Sequence, residues 1–200
     1  MNRKIYLLRY MLNIMIAVLV FYSWLHMVFR GGGTLSSRGI SSLKYYTVLS
    51  NLFSGLTALL FLSGRCRTLM PFLKLTSAVS ITLTFLTVLF FLGPVFGYDA
   101  MYYGDNLWFH MVIPLLCILE YLTGERWHPE IRVRMRTLIP TILYGIGYTL
   151  HIFSGAPGAD WYGFFRGGMV SGILIYIVLC LAIYITGVIL TKTADFLHRS

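Results

Sequence analysis

The sequence predicts an all-α integral membrane protein: a single domain over 1–200, built as a bundle of six transmembrane helices with both termini cytoplasmic. Three observations carry that prediction. Of the 200 residues, 58% are hydrophobic and 12% charged, about half the ~25% charged share of an ordinary soluble domain. The apolar residues fall in long blocks, each near the roughly 20 residues that a bilayer crossing requires. The basic residues stand at the ends of those blocks instead of forming one stripe. That arrangement attributes the net charge of +9 to membrane topology and excludes a nucleic-acid partner.

The six blocks lie near 8–29, 43–63, 71–92, 107–123, 137–154 and 168–190. The first has an apolar run longer than the 7–15 residues of a signal-peptide core and no small-x-small cleavage site after it, so it is expected to be retained. The second carries Thr47, Ser50, Asn51 and Ser54 at spacings that share one helix face. The third carries Thr76, Ser80, Thr84 and Thr87 on one face, and the fourth His110, Pro114 and Cys117. Pro114 has no N–H, which frees the carbonyl of His110 and bends the helix there. The fifth carries Thr141, Tyr144, Tyr148 and His151, and the sixth opens on Gly168-x-x-x-Gly172, a pattern that permits close helix packing. Polar groups inside a bilayer must face protein or a wet cavity. The plain reading of each stripe is interhelical hydrogen bonding; four together predict a polar cavity between helices.

With the N-terminus inside, twelve basic residues fall on the cytoplasmic side, including Arg9, Lys74 and Arg126, and four outside: Arg30, Arg38, Lys44 and Arg166. The outer loops near 30–42, 93–106 and 155–167 are rich in Gly, Tyr and Asp. Glu120 is expected to reach inner water. Cys66, Cys117 and Cys180 form no CxxC pair, so no disulfide framework, metal site or cofactor is indicated. The sequence carries no signal for an oligomeric state.

Thr47 and His110 each lie one turn below the outer end of a helix, roughly 5 Å deep. A hydroxyl beside an imidazole is the minimum apparatus for covalent ester hydrolysis, with Thr47 as nucleophile and His110 as general base, then general acid. Asn51, one turn below Thr47, is a candidate oxyanion donor. Asp105, Asp160, Tyr148 and His151 are candidates to orient the histidine or supply hydrogen bonds; spacing fixes none of them.

The stretches Lys44-Tyr-Tyr-Thr-Val-Leu-Ser-Asn51 and His110-Met-Val-Ile-Pro114, on the second and fourth of six helices, resemble the androgen-induced and androgen-dependent membrane protein family. Asp160-Trp-Tyr-Gly-Phe-Phe165 is similar to the bacterial branch of that family. The resemblance implies a threonine hydrolase of fatty acid esters of hydroxy fatty acids, with Thr47 and His110 as its catalytic pair. It implies a lipid or fatty-acyl ester as substrate, membrane lipids as surroundings and a bacterial plasma membrane, in which the charge count puts the site toward the extracytoplasmic face.

Two other classes are open to the same sequence. A small-molecule transporter or channel suits six helices around a polar interior, with Pro114, Gly145 and Gly147 as helix breaks, although no inverted repeat of the kind common in transporters is present. A haem-binding redox protein would draw its axial ligands from His26, His110 and His151.

Overall fold

A computed structural model of the chain describes residues 3–124 and 129–199. Arg126, counted above with the inner basic residues, lies outside the described residues. Among the described residues, six principal helices carry the fold: α1 (Arg3–Phe29), α2 (Tyr46–Leu62), α3 (Met70–Phe96), α4 (Asp105–Gly124), α5 (Ile139–Phe153) and α6 (Met169–Arg199). No strand occurs among the described residues. Four helices, α1, α3, α4 and α6, are long and apolar enough to cross a membrane. α2 makes a fifth when taken with the helical segment Leu35–Ser42, from which it is bent by 97°.

α5 holds 15 residues, about 22 Å of helix, and is shorter than the fifth block because Pro140 fixes its first turn and Gly155, with φ at +70°, follows its end. α1 begins before the predicted block, and α6 continues past 190 because no Gly or Pro follows Gly187 to stop it. α5 also runs unbroken through Gly145 and Gly147, so neither glycine is a helix break of the kind invoked in the transporter reading. Gly145 is instead a point of close approach: a Cβ there would stand 2.0 Å from the Tyr176 ring of α6. The Gly168/Gly172 pair is likewise not a helix–helix seam. Gly168 precedes α6 with φ at +88°, and Gly172 makes room for the ring of Phe165 from the preceding loop.

The polar stripes face inward, except at His151, which is exposed. Ser50, Asn51 and Ser54 of α2, Thr76, Ser80 and Thr84 of α3, His110 and Cys117 of α4, and Thr141 and Tyr148 of α5 are all buried. Deep in the bundle they bond helix to helix: Ser50 Oγ lies 2.9 Å from Thr84 Oγ1, and Ser77 donates to Ser54 Oγ at 2.8 Å. Around them pack Val20, Ile81 and Ile113 on one side and Leu75, Val79 and Ile183 on the other. The outside is apolar, with Leu143, Val170 and Val178 largely exposed, a surface compatible with lipid rather than water.

At the end of the bundle holding the N-terminus, Glu120 does not reach water. It is 2% exposed, its Oε1 accepts from Arg9 at 3.1 Å and Asn13 at 2.9 Å, and its Oε2 lies 3.0 Å from Lys74 Nζ. Arg9 and Lys74, counted among the inner-side basic residues, are buried partners that tie α1, α3 and α4 together.

Candidate active site

Thr47 occupies the first turn of α2. The preceding Tyr45 is extended, and no local side chain caps the helix, which leaves the N–H of Tyr46 as one of the orphan donors of a helix start. The cap comes from far along the chain: the Tyr162 hydroxyl accepts from Tyr46 N–H at 2.8 Å. The loop before α6 thereby fixes where α2 begins and where Thr47 stands.

His110 lies in a widened, π-type turn of α4, Trp108–Val112. A second such turn, Val88–Leu92, interrupts α3. Each ends two residues before a proline, Pro114 and Pro94 respectively. A proline ring clashes with the carbonyl four residues earlier and cannot bond it; an extra residue in the turn relieves that clash. The distortion expected from Pro114 thus takes the form of a π turn centred on His110. The imidazole is buried and its Nδ1 lies 2.7 Å from the Met101 carbonyl oxygen. A carbonyl only accepts, so Nδ1 carries the proton and the neutral ring keeps its lone pair on Nε2.

Asn51 binds these two elements together. Its Nδ2 donates to the Thr47 carbonyl at 2.7 Å and to the Phe109 carbonyl at 3.1 Å. Both amide protons are committed, so Asn51 is a clamp between the turn of Thr47 and that of His110, not the oxyanion donor expected from its spacing.

Two cavities meet at Thr47. The first, about 160 Å³, is lined by side chains of α3, α5, α6 and the loop before α6, among them Leu83, Phe153, Phe164, Ile173 and Leu179. It reaches Phe153 and Met169, both more than half exposed on the bundle's apolar exterior. The second, about 390 Å³, holds His110 together with Tyr45, Val48, Met101, Asn106 and Trp161. Thr47, Leu92 and Tyr162 line both. Among the described residues no hydrogen bond joins Thr47 to His110 directly; they line one cavity.

Asp160 does not orient His110. Its Oδ1 accepts from Phe164 N–H at 2.9 Å and from the Tyr148 hydroxyl, and its Oδ2 accepts from Phe165 N–H at 3.0 Å. Tyr148 and Asp160 therefore brace the loop that delivers Tyr162. Asp105 is taken by His26, with Nδ1 2.7 Å from Oδ1. His151 is exposed, its ring 5.3 Å from that of Trp161. Of His26, His110 and His151, only His110 lines the cavity with Thr47, and among the described residues no three His, Cys, Asp or Glu side chains converge as metal ligands.

Tyr162 is the residue that sequence reasoning missed. It is 7% exposed, and its hydroxyl lies beside those of Thr47 and Tyr144. Burial, with the neighbouring Tyr144, pushes its phenol well above the ordinary value, so it is a proton-bearing donor. Its only sequence signal is its place in an aromatic loop that also carries an aspartate. No protein-family model, curated protein or solved structure matches the chain.

Proposed function

We propose that this chain is a membrane-embedded ester hydrolase of the threonine type, acting on fatty-acyl esters such as fatty acid esters of hydroxy fatty acids. The observation that carries this reading is the position of Thr47 as the wall shared by an apolar cavity and the cavity of His110. The motif resemblance around Thr47 and His110 supports it.

An acyl chain occupies the apolar cavity, entering from lipid between α5 and α6, and its ester carbonyl rests at Thr47. His110 Nε2 takes the Thr47 proton as Oγ1 bonds to the carbonyl carbon, and the C=O electron pair moves to oxygen. Collapse of that intermediate breaks the bond to the leaving alcohol, which takes the proton from His110. Water, deprotonated by the same nitrogen, then releases the acid and restores Thr47. The missing direct bond between the two side chains is consistent with apo catalytic geometry, which tightens when substrate arrives. We further propose six spans with both termini cytoplasmic, in a bacterial plasma membrane with the site toward the extracytoplasmic face.

The test is hydrolysis of a panel of acyl esters by purified protein, with Thr47→Ala and His110→Ala beside wild type, plus labelling by a fluorophosphonate. Each variant is expected to lose about 10³-fold or more of the rate, and label is expected on Thr47. Labelling that persists in Thr47→Ala, or a wild type inert to every ester, defeats the proposal.

A further inference from the structure

We propose that Tyr162 is a catalytic residue of this same site: its hydroxyl donates the hydrogen bond that holds the oxyanion formed when Thr47 attacks the ester carbonyl. The proposal rests on the hydrolase reading above and supplies the donor that Asn51 cannot.

Position comes first. Tyr162 and Thr47 each line both cavities, and their hydroxyls are neighbours, so a carbonyl carbon within reach of Thr47 Oγ1 brings its oxygen to the phenol. Bonding comes second. The Tyr162 oxygen accepts from Tyr46 N–H at 2.8 Å. That bond uses a lone pair, polarises the O–H, and leaves the proton to be given elsewhere. In the resting site its neighbours are the neutral hydroxyls of Tyr144 and Thr47. A charged oxygen outcompetes both, because hydrogen bonds to ionised acceptors are roughly twice as strong.

Rigidity comes third. The Tyr162 ring stacks on Phe164 with centroids 5.2 Å apart and leans on Tyr148 at 5.8 Å and on Tyr45 at 6.4 Å. Asp160 fixes the loop on both sides of it. A donor held in place before reaction costs no reorganisation when charge develops. The N–H of Thr47, in the first turn of α2, faces no helical acceptor and is the second donor. The step balances without proton transfer from tyrosine: the Thr47 proton moves to His110 and on to the leaving alcohol, while Tyr162 keeps its own throughout.

A plainer role is also visible, since Tyr162 caps α2. The experiment separates the two. Wild type and Tyr162→Phe are assayed on 4-nitrophenyl decanoate and on its thiono analogue, whose C=S sulfur is a poor hydrogen-bond acceptor. Oxyanion donation predicts that Tyr162→Phe lowers kcat on the oxygen ester by about 10²–10³, with KM nearly unchanged and with a much smaller fall on the thiono ester. A cap alone predicts equal falls on both, and that result, or an unchanged kcat, overturns the proposal. Should the Phe variant not fold, 3-fluorotyrosine at position 162 keeps the ring and acidifies the donor. The oxygen-over-sulfur preference is then expected to rise, and a preference that ignores the fluorine overturns the assignment. Turnover that needs Thr47 and His110 but ignores Tyr162 removes this inference alone; absence of any wild-type turnover removes both.

Discussion

Asn51 donates to the backbone of Phe109 across 3.1 Å, and that bond joins the helix of Thr47 to the π turn of His110. The same nitrogen holds the carbonyl of Thr47, so one fully buried side chain ties the turn of Thr47 to the turn of His110. Asn51→Leu keeps the branching of the side chain and removes both bonds. The expected cost in stability is about 1 kcal/mol, because polar contacts between membrane helices are individually weak. The expected loss in ester hydrolysis is larger, about tenfold to a hundredfold, because a small misplacement of reacting groups is expensive. Thermal melting in detergent and steady-state rates, measured on one preparation, check both.

Asp160→Asn tests the loop brace. One oxygen of the carboxylate accepts from Phe164 N–H and Tyr148, the other from Phe165 N–H. An amide offers a single acceptor oxygen, so at least one of these partners is left without it. Faster hydrogen exchange over 155–168 is expected, with a reduced hydrolytic rate because Tyr162 is less firmly held. Unchanged exchange would show that the aromatic contacts alone fix the loop.

Much of this arrangement was legible in the sequence because it follows from local period and charge. The stripes of Ser50, Asn51 and Ser54, and of Thr76, Ser80 and Thr84, face inward as helical spacing demands, and Pro114 distorts its helix at His110. What was not legible depends on partners distant in the chain. Spacing placed Asn51 beside Thr47 but did not reveal that Phe109 consumes its second proton. Glu120 read as a solvated helix end, because nothing local announces that Arg9 and Lys74 converge on it from two other helices. Tyr162 carries no periodic signal at all: its role arises from a bond to Tyr46, 116 positions away.

Glu120→Gln is expected to destabilise the bundle without touching the chemistry. Arg9 and Lys74 would lose the carboxylate between them, and removal of one member of a buried ion pair costs about 3–5 kcal/mol. Adding Lys74→Met to Glu120→Gln removes one of the two buried cations and is expected to restore part of the loss. Fluorophosphonate labelling of Thr47, normalised to folded protein, should be the same in all three forms, because the network lies at the opposite end of the bundle.

Ile173→Trp tests the apolar cavity as an acyl site. Ile173 lines that cavity on the α6 side, where a larger ring narrows the space between α5 and α6. Decanoyl and longer esters are expected to lose about tenfold or more in kcat/KM while acetyl esters stay within about twofold, since only long chains need the obstructed space. Equal losses at every chain length would place the acyl group elsewhere.

The pH profile follows from which protons the site must hold. Met101 accepts from His110 Nδ1, so the reactive lone pair is on Nε2, and acidification that protonates it removes the general base. Hydrolysis is therefore expected to fall as pH is lowered. The alkaline side depends on Tyr162, which must stay protonated to donate. Burial raises its phenol above the ordinary value of 10.0, so the donor form persists through the range in which an exposed tyrosine begins to ionise. Rates are expected to hold level from neutral to about pH 9.5, provided the protein remains folded over that range. An alkaline fall centred below about pH 9 that is present in wild type and absent from Tyr162→Phe would contradict the buried, protonated phenol on which this expectation depends.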